Sequence, residues 1–216
     1  MPELNASIRH IPMPDRFRKL PVSDRGFPTP YFVGEFEGKT DFRVIRPDAI
    51  ADCYNRRLCW LCGEKLGQYL CFVIGPMCSV NRISSEPPSH RECAEYAVRA
   101  CPFLSKPKMR RNEEGLPALE DNSPGGMAIA HNPEASLIWI TKSYRPIITN
   151  GVLFEVGDPV ETLWFKEGRK ATRAEVEAAI AKGFPLLWKE ANAEGKEAVY
   201  ELGRLMARAQ KLLPAE

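Results

Sequence analysis

The chain contains no run of eighteen apolar residues among its 216, which excludes a helical membrane span. Its first residues, with Glu3, His10 and three early prolines, lack the apolar stretch of a secretory signal. Histidine is scarce, at three residues, and there is no H-E-x-x-H, no G-x-S-x-G and no glycine-rich phosphate loop. Those absences remove the zinc-protease, α/β-hydrolase and P-loop chemistries that such motifs carry. Seven cysteines, an odd number with no secretory signal, argue against a disulfide framework and for reduced thiols in the cytoplasm. Apolar content of 44% and charged content of 27% are ordinary for a globular protein. The net charge is +2, but residues 1–111 carry a net +6 and residues 112–216 a net −4. A basic first half is compatible with a phosphate-facing surface.

What the sequence does have is concentrated between Cys59 and Cys93. Cys59-Trp60-Leu61-Cys62-Gly63 forms a C-x2-C pair, and His90-Arg91-Glu92-Cys93 an H-x2-C pair, with 27 residues between Cys62 and His90. Zinc takes four nitrogen or sulfur donors in a tetrahedron, and chains commonly supply them as two close pairs. Cys59, Cys62, His90 and Cys93 are therefore the expected ligands of one structural Zn2+ per chain. Gly63 relieves the backbone where the knuckle wraps its amides around the thiolates. Gln68–Ile74 and Met77–Ile83 flank Gly75-Pro76 and predict a hairpin, in which Cys71 and Cys78 share one face. Pro87-Pro88 stops the second strand, and Ser89 with Glu92 predicts a capping box that sets His90 and Cys93 on the first helical turn. A knuckle, a hairpin and a helix carrying the second ligand pair resemble the treble-clef zinc fold. A redox C-x2-C needs a βαβ setting that is not visible here. The other thiols, Cys53, Cys71, Cys78 and Cys101, read as small buried hydrophobes, with Cys71 or Cys78 as a minority alternative ligand.

Around this module, residues 1–34 are rich in proline, arginine and aromatics, which predicts an extended but ordered arm. Thr40–Ile45 predicts a short strand, and Ile50, Cys53, Tyr54 and Leu58 a helical stripe after Pro47. Cys101-Pro102 ends the zinc-bearing helix. Residues 105–126 collect prolines, glycines and the basic cluster Lys106, Lys108, Arg110 and Arg111, and predict a linker or mobile loop. This divides the chain into a zinc-binding domain at 1–104 and an α+β domain at 127–216. In the latter, strands are expected at 127–130, 137–144, 152–156 and 160–165, with Asn150-Gly151 as a hairpin turn. Thr172 and Glu175 form a capping box, Gly183 a helix stop and Pro185 the start of another helix. Its continuation places Ala198, Val199, Leu202, Leu205, Met206, Ala209, Leu212 and Leu213 on one stripe, most simply core, otherwise a homodimer seam. The fold class is α+β.

Treble clefs include the HNH-type nucleases, which need a general-base histidine on the hairpin. Here the hairpin offers Asn81 and no histidine, and His90 is taken as a ligand. His131 and His10 have no acid or nucleophile beside them in sequence. Phe27-Pro28, Cys59 to Glu64, Gly75-Pro76-Met77-Cys78, Glu86-Pro87-Pro88-Ser89-His90 and Cys101-Pro102-Phe103-Leu104 resemble an uncharacterised family of bacterial and phage proteins. The resemblance supports the four ligands as a unit and implies no activity. The expected function is thus a zinc-stabilised, non-catalytic binding or adaptor protein with a protein or nucleic-acid partner. The alternative is a nucleic-acid-processing enzyme whose site forms between the two halves. Arg56, Arg57, Arg82, Arg91, Arg99, Lys108, Arg110 and Arg111 are the candidate phosphate contacts, with Arg91 and Arg99 two helical turns apart on one face.

Overall fold

A computed structural model describes residues 3–112, 114–115, 131–148 and 151–215. In chain order the elements are α1 (Asp15–Arg18), β1 (Val33–Phe36), β2 (Lys39–Ile45), α2 (Ala49–Arg56), β3 (Leu70–Ile74), α3 (Pro76–Asn81), β4 (Ile83–Ser84), α4 (Arg91–Ala100), α5 (Pro102–Ser105), β5 (Ser136–Thr141), β6 (Tyr144–Ile148), β7 (Val152–Val156), β8 (Pro159–Lys166), β9 (Arg169–Lys170), α6 (Arg173–Glu194) and α7 (Lys196–Ala209). All strand pairings are antiparallel, and the fold is α+β as expected. The strand expected at 127–130 lies outside the described residues.

The central sheet runs β3-β5-β8-β9. Every residue of β5 is buried, because both faces of this sheet are covered. By the period of two, Leu70, Phe72, Leu137, Trp139 and Trp164 face the main core. Cys71, Ile138, Ile140 and Phe165 face the other way, onto Ala94 and Val98 of α4. A second sheet, β4-β7-β6, pairs Ile148 with Val152, while Asn150 of the expected turn lies outside the described residues. The single strand expected at 137–144 is divided: β5 ends at Thr141 in the central sheet and β6 starts at Tyr144 in the second. The sheets and the core cross the boundary expected near residue 105. β3 pairs with β5 and β4 with β7, so strands from 1–104 and from 127–216 share both sheets.

The described part of the expected linker is docked. Asn132 N donates to Met109 O at 3.0 Å, Arg111 to Arg43 O at 2.8 Å, and Arg43 to Asn112 O and Glu114 O at 3.0 and 2.9 Å.

Three local expectations are corrected. The segment expected as the second hairpin strand, Met77–Ile83, is mostly helix α3, so Cys78 does not face Val73; Val73 pairs with Ile138. Proline suits the first helical position as well as a turn, and Pro76 takes the former role, with Ser79 Oγ donating to its carbonyl at 2.6 Å. Ser89 does not cap α4. His90 occupies that position, because Ser89 exchanges two backbone hydrogen bonds with Cys71 at the outer edge of β3. Gly183 does not end a helix and Pro185 does not begin one, since α6 runs through both. A Cβ at residue 183 would stand 2.6 Å from the Met77 sulfur, so this glycine permits close approach of α6 to α3. Phe184 and Leu187 pack on the core and hold the helix across the proline. The stripe of α7 faces the same core, with Leu202 and Ala209 buried and α7 packed on α3 and α6.

The capping box at Thr172 forms as expected. Glu175 N donates to Thr172 Oγ1 at 3.4 Å, and Thr172 N to Glu175 Oε2 at 2.9 Å. The Arg169 guanidinium and the Thr172 amide hold the Glu175 carboxyl down to about 2. Thr172→Ala is expected to lower the unfolding free energy by about 1 kcal/mol in a urea titration. Because the carboxyl is depressed in the folded state, its contribution is full above pH 4.5 and is lost as pH falls toward about 2.

Candidate metal centre

The donor atoms of Cys59, Cys62, His90 and Cys93 lie within 4.8 Å of one another, and this cluster can hold a metal ion. Three thiols are buried and the imidazole is half-buried. Three local arrangements bring them together. The chain doubles back after Leu58, where Cys59 N donates to Glu64 O at 2.8 Å and Gly63 N to Cys59 O at 2.8 Å. Gly63 has φ of +73°, as a tight knuckle requires, and the Tyr31 ring lies against the place a Cβ would occupy. The second pair is delivered by the segment before α4. Trp60 N donates to Pro88 O at 3.1 Å, and the Cys71–Ser89 bridge fixes the next residue. His90 then enters beside Cys59, and Cys93 follows on the first turn of α4.

The cluster's surroundings fit a cation. Cys59 Sγ accepts from Cys62 N and from His90 N, both at 3.4 Å, as a thiolate ligand does. His90 Nδ1 points inward, 3.4 Å from Cys62 Sγ and 3.9 Å from Cys93 Sγ. Nε2 points outward to Lys65 O at 3.0 Å, the contact that holds an imidazole with Nδ1 free to coordinate. Burial pushes the Cys59 thiol up, but hydrogen bonds from Cys62, Cys93 and His90 outweigh it and hold a thiolate there. Cys93 is pushed up by the sulfurs of Cys59 and Cys62. His90 is raised to about 10 by the same two sulfurs. Four soft donors competing for shared protons in one buried space form a set that a divalent cation satisfies together.

An outer layer of charge surrounds the donors, and the sequence pattern did not single it out. Arg16 of α1 pairs with Glu64 and, at 2.7 Å, with Glu92; Lys19 pairs with Glu64 at 2.7 Å. Phe32 stacks on Trp60 with centroids 4.6 Å apart and planes 6° from parallel, and Tyr31 N donates to Leu61 O at 2.9 Å. The proline-rich arm thus wraps the knuckle and supplies the two cations, Arg16 and Lys19, that pair with its carboxylates. Cys53 and Cys71 are buried and uninvolved, each thiol pushed up to about 12 by burial.

The predicted phosphate contacts do not form one face. Arg91 pairs with Glu95 at 2.9 Å and bidentately with Glu161 of β8, at 2.6 and 2.9 Å. Arg99 lies over the Phe165 ring at 5.6 Å. Both therefore turn toward β8, and their guanidinium groups are engaged within the fold, Arg91 at the surface and Arg99 half-buried. Arg82 donates to Val156 O, pairs with Asp158 at 2.9 Å and lies over Trp139. Arg111 is spent on Arg43 O, and Arg56 lies 3.8 Å from Asp52. Arg57, Lys108 and Arg110 are exposed. Asn81 ends α3, its side chain accepting from Ile83 N. His131 is exposed, in a backbone bridge to Arg110.

Away from the cluster, Glu86 is half-buried and burial pushes its carboxyl up to about 7, with Arg111 pulling the other way. The folded state therefore favours the protonated form, and stability is lost as pH rises from 4.5 through about 7. Glu86→Gln is expected to raise stability at pH 8 by on the order of 2 kcal/mol. The same substitution should have little effect at pH 4; thermal unfolding at the two pH values checks both.

No helix among the described residues is long and apolar enough to cross a membrane. No protein-family model matches the chain, and neither a curated protein nor a solved structure is significantly similar to it.

Proposed function

We propose that the chain is a zinc-braced, non-catalytic binding protein, acting on a nucleic-acid or protein partner. One observation carries the reading: all four donors come from the protein, three of them buried, and the imidazole is locked from outside by Lys65 O. A catalytic zinc keeps one position open to water, whereas a four-donor set of this kind is closed. Three sulfurs and one nitrogen favour zinc or iron over oxygen-seeking cations. When bound, the ion would supply a clamp joining the knuckle to the start of α4. The alternative of an enzyme site formed between the halves gains no support from the cleft beneath α2, whose described lining includes no carboxylate or histidine.

Elemental analysis of protein purified without chelator is expected to give one zinc per chain and a colourless solution. A visible iron–thiolate band would replace zinc by iron. Absence of any stoichiometric metal would end the reading.

A further inference from the structure

The end of α2, the start of β3, the end of β5 and the start of β6 converge on an open cleft of about 520 Å³, lined by Tyr54, Arg57, Leu70, Lys142, Tyr144 and Pro146 among others. Its volume falls in the range of about 300–1,000 Å³ typical of ligand sites. We propose that this cleft binds a nucleotide unit, base against the tyrosines and phosphate between Arg57 and Lys142, presented as a segment of single-stranded nucleic acid. The proposal rests on the binding-protein reading above and gives that reading its ligand.

Four features support it. The described lining holds two cations and no anion, although the chain as a whole is nearly balanced at +2. Most other arginines named from sequence are paired within the fold, whereas Arg57 makes one long bond to Gly67 O at 3.3 Å and remains exposed. Lys142 lies over the exposed Tyr69 ring at 5.5 Å and has no carboxylate partner among the described residues. The aromatic wall is rigid: Tyr144 meets Phe72 and Phe154 edge-on at 5.6 Å and Tyr54 at 6.2 Å, while Tyr54 is 39% exposed. Cationic grooves with exposed aromatic rings are the recurring means of holding single strands, because every base offers a flat face. The cleft is also coupled to the metal centre. Arg57 has φ of +53° at the residue before Leu58, and its carbonyl accepts from Leu66 N at 2.8 Å, across the base of the knuckle.

The test measures binding of a fluorescently labelled oligo-dT and oligo-U to the full chain as salt is raised. The comparison ligands are a duplex of equal length, a mononucleotide competitor and polyglutamate. One phosphate held between the two cations predicts a slope of log K against log salt of about −0.7, which should flatten in Lys142→Gln. Arg57→Gly removes the guanidinium yet suits the left-handed backbone, so affinity should fall with the melting temperature undiminished. Tyr54→Ala should weaken binding by about 5- to 150-fold. Lys189→Gln, at an exposed position of α6, should change nothing. Competition by the mononucleotide identifies a free nucleotide as sufficient; its failure alongside oligomer binding assigns the strand. Equal binding of duplex or of polyglutamate would overturn base recognition, and in the latter case favour an acidic protein. No binding of any strand at low salt, or full binding by both cation variants, overturns the site. If zinc is present and no strand binds, the site assignment alone fails; if zinc is absent, the braced reading fails independently.

Discussion

Cys62→Ala and Cys93→Ala are each expected to abolish cooperative folding of the whole chain at neutral pH. A structural zinc contributes on the order of 10–16 kcal/mol of apparent binding free energy, comparable with or above the roughly 5–15 kcal/mol stability of an entire domain. Removing one thiolate would leave such an ion one donor short and forfeit much of that contribution. The damage also spreads along identifiable bonds. The cluster positions the 88–90 segment through Trp60 N to Pro88 O, and that segment pairs with Cys71 on the edge of β3. Because β3 is hydrogen-bonded along its length to β5, loss of the clamp propagates into the sheet built from both halves. Loss of near-ultraviolet circular dichroism and of the thermal transition would report it, and a strong chelator on the parent protein should reproduce the effect. His90→Cys retains four donors and should be milder. A Cys62→Ala chain that melts at the parental temperature without bound metal would falsify the clamp.

The centre was legible because its information is local. Spacing places Cys59 beside Cys62 and His90 one turn from Cys93, and few other residue types can do that chemistry. The Thr172 cap was legible for the same reason: its signal lies within a few residues. β6 was not, because the strand expected at 137–144 is divided between two sheets, β5 ending at Thr141 and β6 starting at Tyr144. The expectations that failed were those in which one local signal has two uses. Pro76 suits a turn and a helix start alike, Ser89 can cap or can pair, and Gly183 can stop a helix or admit a neighbour. Only the tertiary partners decide, here the β3–β5 pairing, the Cys71 edge and the Met77 side chain. Arginine roles were the least legible. Arg91 lies 70 positions from Glu161, and nothing in the sequence near α4 announces that carboxylate. The same distance effect concealed the cleft, whose cations Arg57 and Lys142 lie on opposite sides of residues 105–126.

Trp139→Ala should be the most destabilising single substitution outside the metal centre. Trp139 sits mid-strand in β5, paired to Phe72 on one side and Thr162 on the other, and is 1% exposed. Its indole N–H donates to Gly157 O at 2.9 Å, and Arg82 lies over the ring while binding Val156 O and Asp158. One side chain therefore joins the central sheet to the β7–β8 connection and to the end of α3. Truncating a buried tryptophan costs roughly 3–5 kcal/mol in transfer and cavity terms, and the abandoned carbonyl adds on the order of 1 kcal/mol. For a chain of this size the melting temperature should fall by roughly 10–20 °C. Trp139→Phe keeps most of the ring but not the donor, and should cost about 1–2 kcal/mol. Trp188, 46% exposed on α6, provides the contrast: its replacement by alanine should stay within about 0.5 kcal/mol. Because β5 carries β3 on one edge and β8 on the other, Trp139→Ala should still unfold in a single transition. Two separated transitions, by tryptophan fluorescence and far-ultraviolet circular dichroism, would show that the shared sheet does not couple the chain's two halves.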